Sequence, residues 1–91
     1  MSLKVLSAVY GALPNGSSTD AQGIIVTNAV QRLIDNLGGI VPINNANFND
    51  PAVGFEKHFA VIVERDGVRR CFACAENQTI NFNVAGGAGQ E

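Results

Sequence analysis

The chain has 91 residues, of which 46% are hydrophobic and 15% charged, and its formal net charge at pH 7 is −2. This length predicts one domain, and so apolar a composition excludes an intrinsically disordered chain. The Lys and Arg residues are scattered, so we do not expect nucleic acid as a partner. No apolar run approaches the roughly 20 residues of a membrane span and no signal peptide is visible, so the expected location is cytoplasmic.

The first apolar run, from Leu3 to Tyr10, predicts a central strand that is covered on both faces. Strict alternation places two sets of side chains on opposite sides, namely Leu3, Val5, Ser7 and Val9 against Lys4, Leu6, Ala8 and Tyr10. The following segment, Gly11 to Gly23, is rich in Gly, Ser, Pro and Asn. That composition predicts a long loop, with a short strand from Gly23 to Val26 at its end.

Apolar residues at spacings of three and four predict a helix of about three turns after this loop. Its stripe consists of Val26, Ala29, Val30, Leu33, Ile34 and Leu37. Thr27 is the expected N-cap, and Gly38-Gly39 provides a left-handed stop. The remaining polar positions, Gln31, Arg32 and Asp35, should face water.

The second half of the chain predicts a β-rich region. Ile40 to Ile43 contains a proline and should be an edge strand, and Asn44 to Gly54 is an Asn-rich loop. Lys57 to Arg65 and Val68 to Glu76 flank Asp66-Gly67, which is a strong two-residue hairpin signal. A last strand is expected over Thr79 to Val84.

The hairpin turn also predicts the register of its two strands. It sets Ile62 opposite Cys71 and brings Glu64 opposite Arg69 and Lys57 opposite Glu76, so opposite charges meet. One face then carries Phe59, Val61, Val63, Phe72 and Cys74, and the other carries Ala60, Ile62, Cys71, Ala73 and Ala75. The predicted fold is α+β, a small mostly antiparallel sheet or sandwich of about five strands with one covering helix. Residues 1–85 should form the domain and residues 86–91 a flexible Gly-rich tail.

Three segments together resemble a known family: VLSAVYG near the start, VTNAVQRLI in the predicted helix, and FNDPAVGFEKHFAVIVERDG around the Asn-rich loop. They are similar to the C-terminal domain of unknown function of the mitochondrial DnaJ-type co-chaperones and its microbial relatives. Ile25 occupies a position that is commonly acidic in that family. The chain has no J-domain and no His-Pro-Asp triplet, so stimulation of Hsp70 is not implied. The resemblance implies a compact accessory domain without established catalytic residues.

The reactive side chains do not assemble into a predicted catalytic site. Cys71 and Cys74 are three residues apart on a strand, so they should point to opposite faces about 10 Å apart, as two reduced structural thiols. Two cysteines cannot complete a zinc site. His58, the one histidine, has no predicted nucleophile or acid partner. We therefore expect no enzyme activity, no metal and no cofactor.

The Asn-rich loop carries the alternative hypothesis, a lectin-like carbohydrate or small-ligand site. Its candidate residues are Asn45, Asn47, Asn49, Asp50 and, as an aromatic platform, Tyr10. Calcium would require more carboxylates than this loop provides. Asn and Asp also stabilise turns, so a purely structural loop, with Asp50 bonded to backbone N–H groups and Gly54 at positive φ, explains the same residues.

The preferred hypothesis is a non-enzymatic protein-interaction or self-assembly module, whose partner is another copy of the chain. One short helix cannot cover both apolar faces of the predicted sheet. The expected interface is the face that carries Ala60, Ile62, Glu64, Arg69, Cys71 and Ala73.

Overall fold

A five-stranded antiparallel sheet and a layer packed on one of its faces make up the computed structural model, which describes residues 3–17 and 19–89. The elements in chain order are β1 (Leu3–Ala12), β2 (Gln22–Ile25), α1 (Thr27–Leu37), β3 (Ile40–Pro42), α2 (Asn45–Phe48), β4 (His58–Arg65), β5 (Val68–Ala75), β6 (Thr79–Asn81) and β7 (Gly87–Ala88). The main sheet has the order β2-β1-β4-β5-β7, and β3 pairs with β6 in a second, two-stranded sheet. The α+β prediction is confirmed.

The core lies between the main sheet and the layer that α1 and the second sheet form. Its buried members from the main sheet are Val5, Ala8, Tyr10, Phe59, Val61 and Val63. Those from the covering layer are Val26, Val30, Ile34, Val41, Ile43, Phe48, Ile80 and Phe82. All of this apolar packing uses one face of the main sheet.

The β4–β5 hairpin has the predicted register. Ile62 lies opposite Cys71 and Glu64 opposite Arg69. Asp66 and Gly67 both have positive φ, 52° and 83°, as a two-residue hairpin turn requires. The turn and the cross-strand charges together were sufficient to predict which side chains share a face.

Strand β1 contains a β-bulge that the alternation pattern did not predict. Val5 pairs with Val63 and Ser7 pairs with Ile62, so Leu6 is an extra residue between them. The bulge reverses the side on which the following residues lie. Ala8 and Tyr10 therefore join Val5 in the core, and the predicted grouping of Ser7 and Val9 with Val5 is wrong.

Helix α1 buries Val30 and Ile34 of the predicted stripe but leaves Leu37 47% exposed, and it ends at Gly38, which has φ 70°. Two predictions about its polar residues are wrong. Thr27 begins the helix rather than capping it, and its Oγ1 accepts the Ala8 N–H at 3.1 Å. Gln31 does not simply face water: its Oε1 accepts the Val5 N–H at 2.8 Å, and its Nε2 donates to the Leu3 carbonyl at 3.2 Å.

The side chains of Thr27 and Gln31 make hydrogen bonds to β1 that a neighbouring strand would otherwise make. Strand β2 pairs only with Val9 to Ala12, so the first half of β1 has no strand on that side. Buried backbone groups need partners, and α1 supplies them from successive turns of one helix face. The covering helix is thereby fixed to the sheet by polar as well as apolar contacts.

The predicted loop from Gly11 to Gly23 is shorter than expected, because Gly11 pairs with Gly23 and Ala12 with Gln22. A turn of 3-10 helix, Pro14–Gly16, occupies part of the connection, and Ser18 lies outside the described residues. In the predicted tail, Gly87 and Ala88 pair with Cys71 and Arg70 at the edge of β5. Residues 90–91 also lie outside the described residues.

Candidate functional site

The second face of the main sheet, here called the open face, is exposed and largely apolar. Three large side chains project from it: Val9 is 49% exposed, Ile25 81% and Ile62 42%. Each lies in a different strand, and Val9 lies directly opposite Ile25. An apolar surface shared by neighbouring strands is the strongest candidate site in this structure.

Strand register orders the side chains of the open face into four rows across the sheet. The first row is charged, with Lys4, Glu64 and Arg69 side by side; the second contains Ser7, Ile62 and Cys71. The third contains Ile25, Val9, Ala60 and Ala73, and the fourth contains Gly23, Gly11, His58 and Ala75. Large and small residues are thus mixed within the apolar rows, and charge is confined to the ends.

A shallow depression of about 910 Å³ runs along the open face beside the β1–β2 hairpin. Its lining includes Leu13 and Ala21 from the hairpin connection, and Ala60 and Ala73 from β4 and β5. The small side chains of the third and fourth rows create this depression.

All six predicted interface residues lie on the open face: Ala60, Ile62, Glu64, Arg69, Cys71 and Ala73. Sequence reasoning missed the other half of the surface, Lys4, Ser7, Val9 and Ile25. The reason is the bulge at Leu6, which moves Ser7 and Val9 to this face. No sequence signal marks the bulge, because β1 is apolar on both sides.

The residues of the predicted carbohydrate site are engaged within the protein. Tyr10 is fully buried, and its hydroxyl donates to Asn45 Oδ1 at 2.7 Å. Asn47 donates from its backbone to Asn44 Oδ1 and from its side chain to the Pro42 carbonyl. Asn49 is exposed and has φ 74°. Tyr10 is therefore inaccessible as a platform, and the two Asn side chains shape the loop.

Asp50, itself exposed, takes part in an ionic cluster around a buried lysine at the end of the same loop. It accepts the Ala52 N–H at 3.2 Å, as in the turn predicted, and Gly54 has φ 86°. The unpredicted partner is Lys57, which is 2% exposed and places Nζ 2.7 Å from Asp50 Oδ1 and 3.4 Å from Glu76 Oε1.

Lys57 Nζ also donates to the Ala52 carbonyl at 3.1 Å. The hydrogen bond that Lys57 Nζ donates to Asp50 is the main cause that raises the pKa of Lys57. A protonated ammonium with three acceptors is not a nucleophile. The cluster therefore ties the Asn-rich loop to Glu76, the residue that follows β5, and this is a structural role.

The two cysteines lie on opposite faces and are free thiols, as predicted. Cys74 lies opposite Phe59 on the core face, where burial raises its pKa. Cys71 is in the second row of the open face. His58 on that face has Glu56 Oε1 3.7 Å from its Nε2, with both side chains 68% exposed.

Among residues 3–17 and 19–89, no group of three or more His, Cys, Asp or Glu side chains is placed to hold a metal ion. None of the helices in this part of the chain is long and apolar enough to cross a bilayer. Comparisons with known proteins gave no significant match among family models, curated proteins or solved structures. The resemblance to the co-chaperone domain therefore stays a prediction.

Proposed function

We propose that the chain is a non-enzymatic self-assembly module that pairs through the open face of its main sheet. The observation that carries this proposal is the cluster of exposed apolar side chains formed by Val9, Ile25 and Ile62 on neighbouring strands. Contiguous apolar patches of this kind mark interaction surfaces in soluble proteins. Burying the patch against a second protein surface removes its apolar area from water.

The shape of the molecule supports the same proposal. Its principal extents are 39 × 30 × 18 Å, so it is thin in one direction. A sheet with one covering layer leaves half of its apolar surface unused, and so small a chain gains much from burying that surface between copies. Charged residues in the first row would remain at the rim, as in known interfaces.

Light scattering of the wild type and two matched variants tests the proposal. Ile25→Glu introduces a charge on the open face, and Val53→Glu introduces the same charge in the Asn-rich loop. The two side chains are equally exposed in the monomer, 81% and 79%. Neither substitution should unfold the chain, since neither side chain is buried.

At about 100 µM, where even a micromolar dimer is populated, the wild type and Val53→Glu should have the mass of an oligomer. Ile25→Glu should have the mass of a monomer with an unchanged circular dichroism spectrum. A wild type that is monomeric at this concentration overturns the proposal. Equal masses for the two variants would assign the association to another surface.

A further inference from the structure

We infer that the partner is a second copy bound face to face about a two-fold axis that runs parallel to the strands, between β1 and β4. This inference rests on the proposed function and adds the residues that determine pairing. An axis at this position places β1 of one copy over β4 of the other, and β2 over β5. The open-face side chains of β1, β2 and β4 are then covered, together with Ala73 and Ala75 of β5.

Size complementarity is the first argument for this axis. A rotation about this axis keeps each apolar row at the same position along the strands and reverses its order across the sheet. The large side chains of a row therefore lie over small side chains of the same row in the partner. Val9 then faces the position of Ala60, and Ile25 faces that of Ala73. In the neighbouring rows Ile62 faces the position of Ser7, and His58 that of Gly11. Interdigitation of large and small side chains is what close sheet packing needs.

Charge complementarity is the second argument. In the first row, Lys4 and Glu64 lie on β1 and β4, so the two-fold places each over the oppositely charged residue of the other copy. The dimer gains two such pairs, one on each side of the axis. Lys4 is thereby a specificity-determining residue, together with Glu64.

Two other two-fold axes cover the side chains of the open face less completely or pair its charges less well. An axis between β4 and β5 would pair Glu64 with Arg69, but it would leave Val9 and Ile25 uncovered beyond the edge of the partner. An axis perpendicular to the strands would lay the third row over the second, and Ile25 would then lie beside Ser7 of the partner, where β2 does not extend. The same axis would lay the first row over the fourth, so Lys4 would face Gly11 and have no opposite charge to pair with.

Mixing of charge-reversed chains distinguishes these arrangements. Lys4→Glu and Glu64→Lys should each weaken self-association by about tenfold, because both inter-copy pairs become repulsive. An equimolar mixture of the two variants should recover wild-type affinity, since both pairs are attractive in the mixed dimer. Lys4 and Glu64 are also neighbours within one chain, but mixing leaves those contacts mismatched, so recovery reports contacts between chains.

Arg69→Glu mixed with Glu64→Lys is the matched control, because Arg69→Glu and Lys4→Glu change the net charge equally. With the axis between β1 and β4, this control mixture makes one attractive and one repulsive pair and should not recover wild-type affinity. Recovery in the control mixture, without recovery in the Lys4→Glu mixture, would place the axis between β4 and β5 and overturn the inference. A wild type that dimerises but responds to none of these reversals also overturns it, while the proposed function stands. A monomeric wild type removes both.

Discussion

Tyr10 shows how the surroundings of one residue decide between a ligand site and a structural role. Its ring packs against Phe48, with 5.2 Å between the ring centroids, and its hydroxyl donates a hydrogen bond to Asn45 Oδ1. The sequence shows that the chain contains a tyrosine and several Asn residues. It cannot show that the Tyr10 hydroxyl is hydrogen-bonded to the Asn45 side chain. Burial changes the chemistry of the phenol in a measurable way.

Burial, followed by the nearby carboxylates of Glu76 and Asp50, raises the pKa of Tyr10 from 10.0 to about 12. Because Tyr10 is the one tyrosine in the chain, ultraviolet absorbance of tyrosinate follows this group directly. We expect no tyrosinate signal in the folded protein until the pH approaches 12, and a midpoint near 10.0 in denaturant.

The same shift predicts how stability depends on pH. Above pH 10.0 the unfolded chain releases the Tyr10 proton before the folded chain does, so the free energy of unfolding should fall as pH rises toward 12. The raised pKa of Lys57 acts in the same direction. Denaturant titrations at several alkaline pH values check the slope, and a folded-state tyrosinate midpoint near 10.0 would contradict the burial of this hydroxyl.

At the scale of elements, α1 acts as a polar neighbour of β1 in addition to burying an apolar stripe. Gln31→Ala should destabilise the fold by about 1–2 kcal/mol, since it removes both hydrogen bonds between this side chain and β1 and leaves the buried Val5 N–H without its acceptor. Arg32→Ala, one position along on the exposed side, should stay within about 0.5 kcal/mol. Urea unfolding of both variants measures the difference, and equal stabilities would show that solvent replaces the Gln31 contacts.

The β1–β2 hairpin contains two glycines that face each other but differ in their surroundings. A Cβ at Gly11 would lie 2.3 Å from the Gln22 carbonyl oxygen, whereas a Cβ at Gly23 would have its nearest neighbour at 3.6 Å. Gly11→Ala should therefore cost about 1–3 kcal/mol through backbone strain. Gly23→Ala should change stability by less than about 1 kcal/mol in either direction. Thermal melts at low protein concentration compare them; a more damaging Gly23→Ala would mean that the hairpin pairs in another register.

The contrast between the two hairpins explains how much the sequence could predict. For β4–β5, a defined turn and opposite charges specify the register, so six residues of the open face were correctly grouped. For β1, both sides are apolar and the bulge at Leu6 has no local signature. The faces on which Ser7 and Val9 lie are therefore determined by the pairing of β1 with β4. Periodicity along β1 alone cannot show this pairing. The Lys57 contact with Glu76 was predicted from register, whereas its contact with Asp50 requires the path of the loop.

At the scale of the whole molecule, a two-layer fold with an open apolar face links stability to concentration. If the folded chain dimerises and the unfolded chain does not, the melting temperature must rise with protein concentration. We expect this rise over a hundredfold dilution series (about 1–100 µM) for the wild type and for Val53→Glu, but not for Ile25→Glu. Differential scanning fluorimetry without a hydrophobic dye makes the measurement. A concentration-independent wild type would indicate that the open face stays solvated.

The extra residue in β1 also constrains how this chain can change in length. Removing Leu6 would leave a strictly alternating strand, because Val5 and Ser7 already pair with the consecutive residues Val63 and Ile62. Val5, Ala8 and Tyr10 would keep their places in the core. A deletion at a regularly paired position of β1 would instead force the residues on one side of it to change faces. Leu6 is therefore the position at which this strand can lose a residue with the least disruption of its pairing.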